Sequence, residues 1–329
     1  MNILVGVVSE TAAWVLPRGF VAALARDFPQ HTFLEAWDRP AIRRLLPDAD
    51  VAFTPYVDRD QFPSLTRLRW IQAPAAGVGS LLFPEMIASA VTLTNARGIR
   101  ARPMAEHILG VTIALARQFH VALRAQARHE WVQDQLEAGG TSTVRSLLGA
   151  RLGIVGLGSI GREVAPMAAA LGMRVSAIRT QAGKPRPDGV EEVLTPDRLP
   201  ELLAKSDVIL LAAPSTRETK GLIGAREVAQ MKRGALLINV GRGRLVVDEA
   251  IIDGLRSGQI GGAALDVFTH EPLDPASPYW DLPNVIITPH TSGAMEDYWT
   301  PLVALFSENL RRFEGGRPLL NVIDRNAGY

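Results

Sequence analysis

Three short segments in the C-terminal half of the chain each set a reactive side chain just beyond an apolar run. They are Ile238-Asn239-Val240-Gly241-Arg242-Gly243, Leu265-Asp266-Val267-Phe268-Thr269-His270-Glu271-Pro272-Leu273 and Ile287-Thr288-Pro289-His290-Thr291-Ser292-Gly293. In an open α/β sheet, ligands bind in the crevice outside the carboxyl ends of the strands, so an arginine, a glutamate and a histidine placed this way can converge on one ligand. Upstream, Arg151-Leu152-Gly153-Ile154-Val155-Gly156-Leu157-Gly158-Ser159-Ile160-Gly161 is an apolar strand running into G-x-G-x-x-G. That pattern suits a pyrophosphate: Gly156 permits the tight turn, Gly158 lets the backbone approach the phosphates, and Gly161 lets helix and strand pack closely. The helix that follows offers free N–H groups and a partial positive charge. A dinucleotide is the cofactor this implies. Each piece alone has a plainer use, as a glycine-rich turn, a capping arginine, a turn glutamate or a structural histidine. Their occurrence together on one sheet edge favours the functional reading.

The elements needed to carry these side chains are present in the pattern. Candidate strands at Arg174–Ile178, Val208–Ala212, Ala235–Val240, Gly262–Val267 and Val285–Thr288 alternate with helical stretches, as in a doubly wound sheet. The first hundred residues repeat the theme with short apolar runs at Ile3–Val8, Thr32–Ala36, Val51–Thr54, Leu68–Gln72 and Val91–Asn95. Pro103 suits the first turn of a long helix through Arg117, and an irregular polar stretch is expected around Glu137–Arg145. A last helix is expected from about Ala294 to Phe313. Pro166 falls inside the helix after Gly161, where a local kink is expected.

Composition narrows the partners. With 329 residues, two domains are the better expectation, and 47% hydrophobic residues can fill both cores. A net charge of +1, from 35 basic and 34 acidic residues without blocks, gives no field suited to nucleic acid or an anionic membrane. Small molecules fit better. The absence of cysteine excludes disulfides, thiolate catalysis and cysteine-ligated zinc, and is compatible with the reducing cytoplasm expected as its location. No histidine cluster has metal-ligand spacing, so no metal is expected. His31, His107, His120, His129 and His270 are read as structural or incidental.

In order and spacing, these segments resemble the D-2-hydroxyacid dehydrogenase family, and glyoxylate/hydroxypyruvate reductases within it. The resemblance includes Gln72-Ala73-Pro74-Ala75-Ala76-Gly77-Val78, Asn95-Ala96-Arg97-Gly98, Met104-Ala105-Glu106-His107, the glycine loop, and the ending Asn321-Val322-Ile323-Asp324 with Gly328-Tyr329. It implies an α/β fold of two doubly wound parallel-sheet domains. A Rossmann-type cofactor domain, 101–292, is inserted into a flavodoxin-like substrate or lid domain, 1–100 plus 293–329. It also implies roles. Arg242 would grip the carboxylate and carbonyl oxygens of a 2-oxo acid, His290 would exchange the proton, and Glu271 would hold the imidazole and favour its charged form. Backbone N–H groups of Ala76, Gly77 and Val78 would bind the substrate carboxylate, and Tyr56 either lines the pocket or faces solvent in a turn. Besides the glycine loop with Ser159 and Ile160, the cofactor would meet Met104, Ala213, Pro214 and Thr219. Further along it would meet Val240, Gly241, Arg242, Asp266, His290 and Gly293. The family further implies a homodimer, through the Pro103 helix and the arm around Trp131–Arg145.

A site for NAD normally ends its second strand with Asp or Glu, which bonds the ribose. Here that strand ends Ile178-Arg179-Thr180. An arginine and a hydroxyl would bind a 2′-phosphate, so NADP(H) is favoured, with NAD possible and with Lys184 and Arg186 as additions to the patch. The leading function is reduction of glyoxylate or hydroxypyruvate to a D-2-hydroxy acid. A dinucleotide-sensing, corepressor-like protein and a formate- or phosphite-type dehydrogenase remain as alternatives.

Overall fold

In the computed structural model, residues 1–9, 14–137, 144–181, 183 and 185–325 are described. Along the chain come β1 (Asn2–Val5), α1 (Arg18–Asp27), β2 (Thr32–Glu35), α2 (Arg39–Leu45), β3 (Val51–Phe53), β4 (Trp70–Gln72), α3 (Pro84–Ala88) and β5 (Thr92–Thr94). Next are three helices, α4 (Ala101–Ala116), α5 (Phe119–Ala127) and α6 (Gln133–Glu137). Then follow β6 (Arg151–Val155), α7 (Ser159–Ala170), β7 (Arg174–Ile178), β8 (Val190–Leu194), α8 (Leu199–Lys205), β9 (Val208–Leu211), α9 (Ala225–Gln230), β10 (Ala235–Asn239), α10 (Asp248–Arg256), β11 (Ile260–Leu265), β12 (Val285–Ile287) and α11 (Trp299–Glu314). The chain divides into two compact units, Met1–Ile99 with Met295–Tyr329, and Arg100–Ala294.

The first unit is a five-stranded sheet in the order β2-β1-β3-β4-β5, every pair parallel. This is the flavodoxin-like order. Its inner strands β1, β3 and β4 are almost wholly buried because both faces of the sheet are covered. One face packs on α1 and α11, with Phe306 stacked on Phe53 at 4.7 Å and on Trp70 at 5.3 Å. The other face meets Ile42 of α2 and Met86 of α3. In α11, Leu302, Phe306 and Leu310 recur every fourth residue and so share the buried stripe. That helix starts at Trp299, later than the apolar pattern suggested. The Asp297 carboxylate accepts the Thr300 N–H at 3.0 Å and so satisfies one of the orphan donors of the first turn.

The second unit is a seven-stranded parallel sheet, β12-β11-β10-β9-β6-β7-β8. Read from β8 it is the Rossmann order with one further strand, and the order reverses between β6 and β9. α4 and α7 cover one face, while α8, α9 and α10 cover the other. Strand β8, Val-Glu-Glu-Val-Leu, was not foreseen. As an edge strand it pairs on one side only and keeps its glutamates outward, so it lacks the apolar run that marks the inner strands. α7 continues through Pro166 to Ala170. Pro166 lies on the exposed face of the helix, where water can meet the carbonyl freed by its missing N–H. Of the stretch expected to be irregular around Glu137–Arg145, residues 138–143 lie outside the described residues, as do Lys184 and Gly328-Tyr329. No single helix among the described residues is long and apolar enough to cross a membrane.

Candidate active site

In the second unit the site begins at the glycine loop. β6 delivers the chain to Gly156, which has φ of +106°; a side chain there would lie 2.6 Å from the Ala213 nitrogen and 2.7 Å from the Ala212 carbonyl carbon. Both conformation and space demand glycine at this turn. A Cβ on Gly158 would meet nothing within 4 Å, whereas one on Gly161 would come within 2.9 Å of the Gly156 oxygen. α7 starts at Ser159 with no side-chain cap, leaving the first-turn N–H groups of Ser159, Ile160 and Gly161 without intrahelical partners. Open space above Gly158 and unmatched donors beside it fit a pyrophosphate.

Neighbouring strand ends complete that edge. After β9, Thr219 Oγ1 donates to the Pro214 oxygen at 2.7 Å and accepts from the Thr216 N–H at 2.7 Å, closing the loop that contains Ala213. After β10, Val240 donates its N–H to Leu211, and a Cβ on Gly241 would stand 2.9 Å from the Ala213 oxygen. Gly293 lies against α4, where an added Cβ would be 2.9 Å from Arg100 Cδ and 3.5 Å from Met104 Cγ.

Arg242 follows at the exposed end of β10. Its Nη1 donates to the Gly241 oxygen at 2.7 Å, and its own carbonyl accepts from Asn239 Nδ2 at 3.1 Å. Gly243 then presses directly on the next strand exit, for a Cβ there would sit 1.9 Å from the Phe268 carbonyl carbon. The arginine loop is thereby held against the turn that carries Glu271.

Glu271 has a divided carboxylate. Oε1 accepts the Phe268 N–H at 2.9 Å, and Oε2 lies 2.6 Å from His290 Nδ1. An ionised carboxylate only accepts, so this pairing puts a proton on Nδ1 and leaves Nε2 as the outward-acting nitrogen. His290 has φ of +55°, a region that His tolerates better than most residues, and its side chain is 54% exposed. The imidazole is thus fixed at one end and accessible at the other.

Asp266 holds the histidine loop from beneath. It is 1% exposed; Oδ1 accepts from Thr288 Oγ1 at 2.6 Å, Thr291 N–H at 2.8 Å and Ser292 N–H at 3.1 Å, and its carbonyl accepts the His290 N–H at 2.9 Å. Burial works to raise this carboxyl, but the bonds from Ser292, Thr288 and Thr291 outweigh it and keep the group below the usual carboxylate range. Sequence reasoning set Asp266 towards the cofactor and missed this internal task. It also left His107 as a helix residue. Its Nε2 lies 3.5 Å from Thr288 Oγ1, at the limit of hydrogen bonding, and burial lowers its pKa against the opposing pull of Asp266. A titratable residue inside the apolar run of α4 was the available signal.

Arg179 closes β7 and is 9% exposed, with Nη1 donating to the Pro185 oxygen at 3.0 Å, while Thr180 beside it is exposed. Arg186 Nη1 is turned to the Glu191 carbonyl at 2.6 Å. In the first unit, Tyr56 is half-buried in the turn after β3, with the Arg39 guanidinium 5.3 Å from its ring centre. Ala76 and Gly77 are exposed in the loop after β4, and Val78 is buried.

Residues 109–292 match the sequence pattern described as D-isomer specific 2-hydroxyacid dehydrogenase, NAD binding domain. The chain belongs to the D-isomer specific 2-hydroxyacid dehydrogenase family. As a member it is an NAD(P)-dependent oxidoreductase, and its relatives extend over both units. A glycerate dehydrogenase of Methylorubrum extorquens is 32% identical over 317 residues, covering 94% of this chain and 98% of its own length. A glyoxylate reductase of Aeropyrum pernix is 32% identical over 306 residues, covering 89% and 90%. Among solved structures, an NADPH-dependent glyoxylate/hydroxypyruvate reductase of Sinorhizobium meliloti, in complex with NADP and sulfate, superposes with a TM-score of 0.82. It is 29% identical, with both chains covered in full. The two parallel sheets of this dehydrogenase are those of the family's two-domain fold.

Proposed function

We propose that this dehydrogenase reduces glyoxylate or hydroxypyruvate to the D-2-hydroxy acid with NADPH as the preferred donor. The observation that carries the reading is the His290–Glu271 pair, 2.6 Å apart and tethered to the Phe268 N–H. NADPH, when bound, supplies the hydride to the carbonyl carbon. His290 Nε2 gives its proton to the carbonyl oxygen, and recovers it in the reverse direction. Arg242 offers its planar fork to the carboxylate and carbonyl oxygens and stabilises the negative charge that develops there. The loop Ala76-Gly77-Val78 binds the carboxylate through backbone N–H groups, and its small side chains favour a small substrate. Cofactor preference rests on Arg179 with Thr180 at the position where NAD sites carry an acid, and the S. meliloti relative holds NADP.

A panel of oxo acids offered with NADPH and with NADH tests this directly. Glyoxylate or hydroxypyruvate should drive NADPH oxidation fastest, and D-glycerate but not L-glycerate should reduce NADP⁺. Reduction of NADP⁺ by formate or phosphite without oxo-acid turnover would replace the reading with one of those chemistries. Tight NADPH binding with no turnover of any substrate would point to a sensing protein.

The same reading takes the enzyme as a homodimer joined through α4 and the arm around Trp131–Arg145. Its support is the set of large apolar side chains left exposed nearby: Phe119, Leu123, Trp131 and Leu148. Sedimentation should give twice the chain mass at micromolar concentration, and a monomer there rejects the assignment.

A further inference from the structure

In the first unit, four consecutive carbonyl oxygens of the loop after β4 are each taken by a donor. Ala73 accepts from Gln72 Nε2 at 3.0 Å, Pro74 from the Tyr298 hydroxyl, Ala75 from the Ala96 N–H at 3.1 Å, and Ala76 from Asn95 Nδ2 at 2.6 Å. In a trans peptide the C=O and the following N–H point opposite ways across one plane. With the carbonyls of Pro74, Ala75 and Ala76 drawn inward, the N–H groups of Ala75, Ala76 and Gly77 are turned outward. Among the described residues none accepts from them, and Ala76 and Gly77 are exposed.

The two side-chain anchors come from distant parts of the chain. Asn95, at the exit of β5, is 2% exposed; its backbone N–H bonds the Asn321 oxygen at 3.2 Å, and its carbonyl accepts from Asn321 Nδ2 at 3.2 Å. Tyr298 is also buried, just ahead of α11. Burying an amide and a phenol is unfavourable unless each is bonded, and both find carbonyls of this one loop. We propose that Asn95 and Tyr298 are positioning residues for substrate binding, which aim the loop's N–H groups at the substrate carboxylate by holding the carbonyls of Ala76 and Pro74. The proposal rests on the reading that the loop Ala76-Gly77-Val78 binds that carboxylate, and adds to it the Ala75 N–H, which the Pro74 carbonyl sets outward. Neither residue touches the reacting atoms, so their loss weakens substrate capture more than chemistry.

The test compares Asn95→Ala and Tyr298→Phe with Gly77→Pro, which deletes one loop N–H and leaves both anchors intact. A charge-assisted hydrogen bond that is loosened rather than lost should raise KM for glyoxylate about tenfold in each anchor variant, with kcat and the dissociation constant for NADPH changed by less than about twofold. Tyr298→Phe keeps the ring and its packing on Trp14 and Trp299, so it stays informative if the asparagine variant folds poorly. If Gly77→Pro raises KM and the anchor variants do not, the loop binds the carboxylate unaided and the proposal is overturned. If none of the three raises KM, the loop reading falls and takes the proposal with it. A joint drop in kcat, NADPH affinity and melting temperature in Tyr298→Phe reduces the anchors to a purely structural role.

Discussion

Replacing His290 with alanine should lower kcat for oxo-acid reduction by roughly 10²–10⁴, the range that loss of a general acid brings. NADPH affinity should barely move. The reason lies in how the loop is held: Asp266 bonds the backbone N–H groups of His290, Thr291 and Ser292, and none of those contacts needs the imidazole. Because His290 has φ of +55°, alanine adds some backbone strain, and His290→Asn is the better-tolerated companion. Both variants should be folded and slow in a steady-state assay at saturating oxo acid. Turnover near the wild-type rate in either folded protein would remove the histidine from its role.

Arg179→Asp should move the two cofactors in opposite directions. A charge-assisted bond to the 2′-phosphate is worth about 1.5–3 kcal/mol, or roughly 10–100-fold in affinity, and a carboxylate in its place adds repulsion. NADPH binding should therefore weaken by at least that range, while NADH binding holds or improves as the carboxylate meets the ribose hydroxyls. Titrating each cofactor into wild type and variant gives the answer. Equal weakening of both would show that Arg179 serves mainly as a clamp on the Pro185 carbonyl. A wild-type preference for NADH would remove the NADP assignment and leave the dehydrogenase chemistry intact.

Much of the second unit was legible because its signals are local. An apolar run ending in a glycine or a charged residue marks a strand exit, and the exits of β10, β11 and β12 lie just ahead of Arg242, Glu271 and His290. Strand β8 was hidden because a half-solvated edge strand carries charge where an inner strand carries Val or Ile. What sequence could not supply was pairing across long separations. Asp266 grips residues more than twenty positions away, Asn95 reaches back to Ala76, and Tyr298 closes on Pro74 from the far end of the chain. Hydrogen-bond donors of that kind have no periodicity to betray them. For Glu271 the resemblance implied the pairing with His290, whereas its second partner, the Phe268 N–H on Oε1, is a turn contact that no sequence pattern marks.

The first unit is sewn together from the two ends of the polypeptide, and that has a consequence for how the chain is born. A ribosome delivers β1 to β5 early, yet the cover for Phe53 and Trp70 is Phe306 of α11, which emerges only after the whole second unit has been made. The second unit is continuous in sequence and has all its own helices by the time Ala294 appears. Until α11 emerges the nascent sheet of the first has only α1 on that face, and Phe53 and Trp70 lack their aromatic cover. Its vulnerable interval is therefore set by the length of the insertion, and an arrest or truncation between Ala294 and Trp299 leaves a sticky half-domain attached to a finished one.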